Sequence, residues 1–410
     1  MKTVRISHPG GPLTGHIKIS GSKSLSNRAL ILSALSGRSL PLTNLSTSKD
    51  TTTLQRLLAS DEVVLDAGHA GTTFRFMTAY LVLQPGTQTL TGSDRMQQRP
   101  IGPLVEALRD LGAPIRYLGK EGYPPLEIGA LTTQTGRRIS IRSDISSQFL
   151  SALSMIGPCL PEGLVMEMVG EAVSRPYLDM TLRLMETWGV TSVVEEGAIR
   201  IDPQAYVPAS LTVESDWSSA SYYYALAAMA PGSEIRLSHF SDKSLQADAH
   251  MQQLTQHLGV TSLLDDGVLT LRHKGRRQSG SSMAMDFIDC PDIAQTMAVA
   301  GAAVGMQMHF TGLKTLKIKE TDRVAALKRE LSKVGVHLSE GEPQDTYIQT
   351  GRAQIDMPVF STYEDHRMAM ALAPLGYLSP VTIENPRVVD KSYPDFWEDL
   401  ITLGFRLEFA

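Results

Sequence analysis

The sequence contains almost no cysteine, which limits the chemistry open to it. Its 410 residues include only Cys159 and Cys290, which lie far apart and show no metal-ligand spacing. This pattern gives no indication of a cysteine-based metal site. It favours two reduced thiols over a disulfide, and therefore a cytoplasmic protein.

The sequence also lacks an excess of positive charge. Its 38 lysine and arginine residues are outnumbered by 43 acidic residues, which gives a formal net charge of −5. Because nucleic-acid-binding proteins carry a basic surface, we expect no nucleic-acid partner. Any anionic ligand must instead bind a local cluster of basic side chains.

Long apolar segments are absent as well. The longest one, Met297–Met308, contains Gln307 and is shorter than the about 20 residues that a membrane-spanning helix needs. It predicts a buried helix that runs into a strand. Residues 1–20 alternate like a strand and show no signal-peptide core. We therefore expect neither a membrane segment nor a targeting segment.

Amphipathic helical patterns recur along the chain, and each ends in glycine. One of them, RVAALKRELSKVG, ends at Gly335, and the others end at Gly112, Gly189, Gly259 and Gly404. Glycine in this place is typical of a left-handed helix C-cap that a strand follows. TTTLQRLLAS resembles a truncated earlier copy.

A second series of segments predicts helices that are apolar on all sides, which is typical of buried helices. The segments are SNRALILSALSG, TTFRFMTAYLV, SSQFLSALSMIG, SSASYYYALAAMAPG, DIAQTMAVAGAAVG and DHRMAMALAPLG. Both series repeat at about 73 residues after a shorter first interval. Chance similarity is the alternative, but the shared period predicts six copies of one α/β module, arranged as two domains of three modules with sheets outside the helices.

The predicted buried helices begin with polar residues. These are Ser24, Asn27, Arg28, Gly71, Thr72, Ser146, Ser147, Gln148, Asp216, Ser218, Asp292, His366 and Arg367. Helix N-termini attract anions because their N–H groups are unpaired. Ordinary capping explains the serines and aspartates but not the basic side chains at the same places.

The first of these segments, GSKSLSNRAL at Gly21–Leu30, resembles a nucleotide-binding loop. Its spacing does not match G-x-x-x-x-G-K-[ST], because Ser22 separates Gly21 from Lys23. We therefore expect Lys23 and its neighbours to bind phosphate but not ATP. Further basic clusters occur in RMQQRPIG, SRPYLD, KIKETDR, YEDHRMAM and DKSYPD, where solvated charge runs are the alternative for each one alone.

Taken together, these motifs resemble the 5-enolpyruvylshikimate-3-phosphate synthase family. The matching segments run in the family's order from residue 21 to 396: GSKSLSNRAL, AGTTFR, RMQQRPIGPLVEAL, YPPLEI, ISSQFLSAL, SRPYLDMTLRLM, SDWSSASYYYA, PDIAQT, KIKETDR, YEDHRMAMALA and KSYPDF. The resemblance implies a two-domain inverted α/β barrel in which each domain has three βαβαββ units. It implies an N-terminal domain at 21–214, a C-terminal domain at 1–20 and 215–410, and an active site in the interdomain cleft.

The resemblance also implies a reaction. The enolpyruvyl group of phosphoenolpyruvate would move to the 5-hydroxyl of shikimate 3-phosphate, with release of phosphate, through a tetrahedral intermediate. The implied enzyme needs no metal or organic cofactor, acts on these two small molecules, and is a monomer.

Site residues follow from the resemblance motif by motif. It implies shikimate 3-phosphate ligands at Lys23, Ser24, Arg28, Ser146, Ser147, Gln148, Ser174, Tyr177, Asp292 and Lys319. It implies phosphoenolpyruvate ligands at Lys23, Gly71, Thr72, Arg99, Gln148, Arg323, His366, Arg367 and Lys391. In the catalytic set, Asp292 is the base, Glu320 protonates the methylene, and Lys319, Lys23 and His366 assist. A structural role is the alternative for His366.

The sequence departs from the family pattern at a few positions. His69 and Thr315 stand where asparagine is usual, Lys317 stands where arginine is common, and the segment 52–66 is shortened. These changes leave phosphoenolpyruvate affinity and glyphosate sensitivity open. Two other functions also remain as alternatives: an enolpyruvyl transferase for UDP-N-acetylglucosamine, and an inactive homologue that binds anions.

Overall fold

The computed structural model describes residues 2–38, 40–142, 146–170, 175–274 and 282–410. The chain divides into two compact units. We call Gly21–Val213 the N unit, and we call Met1–Ser20 together with Glu214–Ala410 the C unit.

Both units are mixed α/β structures. The strands are β1 (Thr3–Ser7), β2 (Thr14–Ile17), β3 (Leu42–Thr43), β4 (Val64–Asp66), β5 (Thr87–Thr91), β6 (Ile115–Tyr117), β7 (Leu126–Gly129), β8 (Arg138–Arg142), β9 (Leu164–Val169), β10 (Val193–Glu195), β11 (Ala198–Ile201), β12 (Leu211–Thr212), β13 (Glu234–Ser238), β14 (Val260–Asp265), β15 (Val268–His273), β16 (Ser282–Asp286), β17 (Gln307–Thr311), β18 (His337–Glu340), β19 (Tyr347–Thr350), β20 (Val359–Phe360), β21 (Val381–Glu384) and β22 (Arg406–Phe409). The α-helices are α1 (Lys23–Leu35), α2 (Lys49–Leu58), α3 (Gly71–Leu81), α4 (Gly102–Asp110), α5 (Ser147–Ile156), α6 (Arg175–Thr187), α7 (Trp217–Met229), α8 (Met251–Leu254), α9 (Ala294–Val304), α10 (Arg323–Ser332), α11 (His366–Leu372) and α12 (Phe396–Thr402).

The sheets repeat one pattern of strand order. In the N unit the orders are β4-β5-β7-β6 and β10-β11-β9-β8, and in the C unit they are β14-β15-β13-β2, β16-β17-β19-β18 and β20-β21-β1-β22. Each of these sheets joins one parallel pair of strands to two antiparallel pairs. This regularity is the structural form of the repeat that the sequence predicts.

The first module differs from the others. Its sheet consists of β3 paired in parallel with β12, and its strands are two residues long. This agrees with the loss of strand material that the short segment 52–66 predicts.

Six helices that the sequence predicts as apolar are indeed buried in the two units. They are α1, α3, α5, α7, α9 and α11. In α9, Gly301 allows the following strand to pack closely, because an added Cβ would lie 2.3 Å from the sulfur of Met308. As predicted, Met297–Met308 runs from this helix into β17. Among the described residues, every helix is too short or too polar to cross a membrane.

The predicted helix ends are confirmed by their backbone angles. Glycines that close the amphipathic helices all have positive φ: Gly112, Gly189, Gly259, Gly335 and Gly404.

The prediction of one regular helix over DAHMQQLTQHLG is wrong. Only α8 is α-helical there, between 3-10 helices at Ala247–His250 and Thr255–Leu258. The Thr255 hydroxyl donates to the Met251 carbonyl at 2.8 Å. Such side-chain bonds to the preceding turn are one reason why threonine weakens a regular helix.

Candidate active site

In the N unit, predicted ligands lie at the first turns of α3 and α5. Gly71 begins α3, Ser147 begins α5, and the Ser146 hydroxyl caps α5 by accepting from the Gln148 N–H at 3.3 Å. The Gln148 side chain donates through Nε2 to Thr72 Oγ1 at 3.1 Å. This bond joins the two helix N-termini, so the structure brings these five predicted residues together.

Gln148 has further capacity for hydrogen bonding. Its Oε1 is buried and has no hydrogen-bond partner among the described residues. The neighbouring Ser147 and Thr72 are also buried. A buried acceptor next to two helix N-termini is suited to a ligand hydroxyl.

Arg28 ties three helices of the N unit together. It is only 1% exposed, and its guanidinium donates to the Ser151 and Thr181 hydroxyls and to the Ser24 and Tyr177 carbonyls at 2.7–3.1 Å. Burial lowers the pKa of Arg28 to about 10. The predicted residues Ser24, Arg28 and Tyr177 therefore share one hydrogen-bond network at α1 and α6. The predicted residue Ser174 lies outside the described residues.

Lys23 has an acidic partner that the sequence reasoning missed. Its Nζ lies 3.6 Å from Asp50 Oδ2, and the two side chains are 16% and 4% exposed. Asp50 belongs to the first turn of α2, where an acidic residue is usual for helix stability. That local role left no signal of the long-range pairing.

Gly71 lies against two arginines. A Cβ added to it would be 2.4 Å from Arg99 Nη1 and 2.9 Å from Arg75 Nη1. Arg75, which the sequence reasoning did not assign, donates from Nη1 to the Gly71 carbonyl at 2.9 Å. The start of α3 therefore places the predicted ligand Arg99 beside a helix N-terminus, and a side chain at Gly71 would displace it.

His69 connects this helix start to the segment that carries Arg99. Its Nδ1 lies 3.0 Å from the Ser93 hydroxyl oxygen, and that oxygen accepts a hydrogen bond from the Met96 N–H at 3.3 Å. Met96 begins the 3-10 helix Met96–Gln98 that precedes Arg99. The histidine that departs from the family pattern thus positions a loop.

In the C unit, Asp292 is surrounded by cations. It lies in a 3-10 helix, Pro291–Ile293, that leads into α9. Its Oδ1 is 3.2 Å from Arg323 Nη1 and 4.0 Å from Lys319 Nζ. Its Oδ2 accepts from Arg367 Nη2 at 2.8 Å, and its backbone carbonyl accepts from Arg367 Nη1 at 3.1 Å.

Glu320 joins two further cations to this cluster. One carboxylate oxygen accepts from Lys391 Nζ at 2.5 Å, and the other accepts from Arg323 Nη2 at 2.9 Å. We call Asp292, Lys319, Glu320, Arg323, Arg367 and Lys391 the charged cluster. All six were predicted from the sequence, and the structure brings them together from separate segments of the C unit.

Arg323 is the central cation of the charged cluster. It donates from Nε to Asp365 Oδ2 at 2.7 Å, and Asp365 also caps α11 by accepting from the Arg367 N–H at 2.9 Å. Burial opposes the charge on Arg323, but the carboxylates around it outweigh burial and raise its pKa above the ordinary arginine value. Asp365 therefore orients the Arg323 guanidinium and also caps the helix that contains Arg367. Its sequence position as an N-cap did not reveal the pairing with Arg323.

Lys319 and His366 each lie close to a carboxylate of this region. Burial lowers the pKa of Lys319, and the Asp292 carboxylate opposes that shift. His366 is buried at the start of α11, with Nδ1 3.8 Å from Asp365 Oδ1. Both residues lie beside carboxylates, which is suited to proton transfer.

The two remaining departures from the family pattern are Thr315 and Lys317, and among the described residues neither bonds to the charged cluster. The Thr315 hydroxyl is buried and has no hydrogen-bond partner among the described residues. Lys317 donates to Asp345 Oδ1 at 3.0 Å and lies over the Tyr347 ring. Within the described part of the chain, no group of three acidic, histidine or cysteine side chains is arranged to hold a metal ion.

A family model matches almost the entire chain. It describes EPSP synthase (3-phosphoshikimate 1-carboxyvinyltransferase) and covers residues 7–60 and 52–400.

Individual relatives agree with this match. A protein of Bacteroides fragilis (strain YCH46) named 3-phosphoshikimate 1-carboxyvinyltransferase is 44% identical over 397 residues, which covers 96% of each chain. A Vibrio vulnificus (strain YJ016) protein of the same name is 37% identical over 422 residues, with 96% of this chain and 97% of the relative covered. The solved EPSP synthase of Acinetobacter baumannii has the same fold, with a TM-score of 0.79 at 20% identity over the full length of both chains. The chain described here belongs to the EPSP synthase family.

Proposed function

We propose that this protein transfers the enolpyruvyl group of phosphoenolpyruvate to the 5-hydroxyl of shikimate 3-phosphate and releases phosphate. The proposal rests on family membership and on one structural observation. Asp292 lies within a cluster of cations, and a second carboxylate, Glu320, pairs with the same Arg323. Such a cluster supplies positive charge for an acidic substrate and two carboxylates for proton transfer.

The phosphoenolpyruvate ligands are proposed in both units. They are Lys23, Gly71, Thr72, Arg99, Gln148, Arg323, His366, Arg367 and Lys391. Arg367 donates to Asp292, and Lys391 donates to Glu320. A carboxylate or phosphate of the substrate would replace these internal acceptors, because guanidinium groups pair with such anions in a planar, two-bond geometry.

The shikimate 3-phosphate ligands are proposed mainly in the N unit. They are Lys23, Ser24, Arg28, Ser146, Ser147, Gln148, Ser174 and Tyr177, with Asp292 and Lys319 from the C unit. The hydroxyls and N–H groups at the start of α5 are suited to a phosphate. We propose that both groups of residues serve one catalytic cycle.

The proton transfers follow from the two carboxylates. Asp292 takes the proton of the 5-hydroxyl, whose oxygen forms a bond to C2 of phosphoenolpyruvate. At the same time, Glu320 in its protonated form gives a proton to C3, which produces a tetrahedral intermediate. That intermediate then returns a proton from C3 to the Glu320 carboxylate, the C2–C3 double bond forms again, and the C2–O bond to phosphate breaks. Lys319 stabilises the departing phosphate, while Lys23 and His366 assist.

A phosphate-release assay tests the reaction. Purified protein with phosphoenolpyruvate and shikimate 3-phosphate should release phosphate, and UDP-N-acetylglucosamine in place of shikimate 3-phosphate should give none. The reverse result would assign the protein to the sugar-nucleotide reaction, and no release with either acceptor would indicate an inactive homologue. Asp292→Asn should lower kcat by about 100-fold or more with a modest change in KM, since general-base catalysis contributes about 10²–10⁴-fold.

We further propose that the enzyme acts as a monomer in the cytoplasm. Both cysteines are free thiols, which supports a reducing compartment. Sedimentation at micromolar concentration should give the mass of one chain, 44.7 kDa. A heavier species would contradict the proposed monomer.

A further inference from the structure

Asp248 is a buried carboxyl group that the proposed mechanism does not use. It lies in the 3-10 helix Ala247–His250 and is 3% exposed. Its Oδ2 accepts a hydrogen bond from the Ser218 hydroxyl. Its Oδ1 is buried and has no hydrogen-bond partner among the described residues. A buried acidic side chain is costly to retain, so its position requires an explanation.

The Ser218 hydroxyl connects Asp248 to the charged cluster. Ser218 lies in the first turn of α7, and its oxygen accepts from Arg367 Nη2 at 3.3 Å. The same Nη2 donates to Asp292 Oδ2 at 2.8 Å. A serine hydroxyl has one hydrogen to donate. Because Asp248 receives that hydrogen, the lone pairs of Ser218 remain available to the guanidinium.

We propose that Asp248 is a positioning residue, which acts through the Ser218 hydroxyl to hold the guanidinium of Arg367 in the orientation that binds phosphoenolpyruvate. This inference rests on the proposed function, because it takes Arg367 as a ligand of that substrate.

The need for such a residue follows from the exchange of partners on binding. Asp292 Oδ2 pairs directly with Arg367 Nη2 at 2.8 Å. In the proposed reaction, Asp292 turns to the 5-hydroxyl of the acceptor, so Arg367 loses its main internal partner at the moment when its orientation matters. The bond to Ser218 can persist, because neither Ser218 nor Asp248 has a part in the chemistry.

The environment of Asp248 lets this contact survive a change of protonation. Asp292, Arg367 and Asp216 act electrostatically on Asp248, and Asp248 in turn acts on Cys290. Burial and the Asp292 charge raise the pKa of Asp248 to about 7. Either form of the carboxyl group keeps an oxygen that can accept from Ser218. The orientation of Ser218 is therefore maintained across neutral pH.

Four variants test the proposal: Asp248→Ala, Asp248→Asn, Ser218→Ala and the double variant Ser218→Ala/Asp248→Ala. At saturating shikimate 3-phosphate, Asp248→Ala should raise the KM for phosphoenolpyruvate about 10-fold, while kcat and the KM for shikimate 3-phosphate change less than about 3-fold. Asp248→Asn should stay within about 3-fold of the wild-type KM, because its carbonyl can still accept from Ser218. The double variant should match Ser218→Ala alone, since the two residues act in series.

Three results would overturn the proposal. The first is an unchanged KM for phosphoenolpyruvate in Asp248→Ala, and the second is additive effects in the double variant. The third is an increase in the KM values for both substrates in Asp248→Ala that Asp248→Asn also shows. If Asp248→Ala does not fold, Ser218→Ala and Asp248→Asn decide. Glu330→Gln is the control, because Glu330 is a fully buried carboxyl group of the same unit whose partners include the Tyr363 hydroxyl and the Ser361 N–H. The KM of this variant for phosphoenolpyruvate should stay unchanged. Failure of the proposed function is a separate result, since the wild-type protein would then release no phosphate.

Discussion

Asp292 shows how one carboxylate can hold the charged cluster together. Arg323, Arg367 and Lys319 approach its two oxygens from α10, α11 and the segment before α10. Without the carboxylate these cations would repel one another in a partly buried site. An acidic substrate can also pair with these cations, so the cluster is suited to bind an anion.

Gly71 provides a direct test of how the N unit positions Arg99. A methyl group in Gly71→Ala would lie 2.4 Å from Arg99 Nη1, so the guanidinium must move. Losing a charge-assisted hydrogen bond costs about 1.5–3 kcal/mol. We therefore expect the KM for phosphoenolpyruvate to rise about 10- to 100-fold, with little change in the KM for shikimate 3-phosphate. Steady-state kinetics with each substrate varied in turn measures both values.

Gly102 is the matched control for this substitution. Like Gly71, it is the first residue of an α-helix, but an added Cβ would meet no atom closer than 3.5 Å. Gly102→Ala should leave both KM values unchanged. Equal effects at the two glycines would show that the helix N-terminus, and not contact with Arg99, is responsible.

The raised pKa of Asp248 predicts a pH-dependent stability. A carboxyl group whose pKa is about 7 in the folded protein, against an ordinary value of 3.8, binds its proton more tightly when folded. Its contribution to stability is complete below about pH 4 and is lost as the pH rises through 7. The asparagine in Asp248→Asn does not titrate. The free energy of unfolding of this variant should therefore increase relative to that of the wild type between pH 5 and 8, by on the order of a few kcal/mol. Urea unfolding at four pH values measures this difference; a constant offset would contradict it.

Residues within single motifs could be predicted from the sequence, and their partners from distant segments could not. Lys319, Glu320 and Arg323 share KIKETDR, and Gly71 and Thr72 share AGTTFR. Asp50, Arg75, Asp365 and Asp248 act on site residues mostly through tertiary contacts. Acidic residues at helix starts have an ordinary capping role, so their sequence position does not distinguish them from structural caps.

At the scale of helices, the glycines that end the amphipathic helices are required for two different reasons. One is a backbone angle that other residues rarely adopt, and the other is a lack of space for a side chain. Gly335 has a φ of +76°, and a Cβ added to it would have no neighbouring atom within 4 Å. Gly112, by contrast, would bring a Cβ to 2.6 Å from the Thr133 carbonyl oxygen. A substitution at Gly335 therefore measures how much the left-handed helix cap alone contributes to the free energy of unfolding.

Gly335→Ala should destabilise the protein by about 1 kcal/mol, because alanine adopts a left-handed conformation at a cost that glycine does not incur. Gly335→Asn should cost less, since asparagine tolerates this conformation. Neither change touches the candidate site, so kcat should be unchanged. Thermal unfolding measures the stability. Gly136→Ala is the control, because Gly136 lacks a positive φ and its nearest neighbour lies at 4.0 Å; an equal loss there would refute the interpretation.

The helix over residues 247–258 shows the limit of pattern-based prediction at this scale. Its apolar residues Met251, Leu254 and Leu258 are buried, as an amphipathic pattern requires. Yet Asp248 bonds to Ser218, and Thr255 bonds to a backbone carbonyl in the preceding turn. These side-chain bonds favour tighter turns on either side of α8. Burial alone could be predicted here, and the type of helix could not.

At the scale of the whole molecule, strands from distant parts of the sequence complete the repeated modules. In the C unit, β1 lies between β21 and β22, and β2 pairs with β13. In the N unit, β12 pairs with β3. The repeat could be predicted from the sequence because each module keeps its own helices and glycine stop. Which strand completes which module depends on long-range pairing, which the resemblance to a known family implied but the pattern alone did not.

This strand pairing predicts that the N unit folds alone and that the C unit needs the N-terminal segment. All sheets of residues 21–213 pair within that range, and about 190 residues can bury a substantial core. A fragment of residues 21–213 should therefore unfold cooperatively in urea, as followed by circular dichroism. The matched fragment, residues 214–410, lacks β1, whose Val4 and Ile6 are fully buried and whose two edges are both paired. It should not unfold cooperatively until a peptide of residues 1–20 is added, because an unfilled strand position exposes two rows of backbone groups and the core behind them. Cooperative unfolding of residues 214–410 alone, or none for residues 21–213, would show that the units do not fold as the pairing indicates.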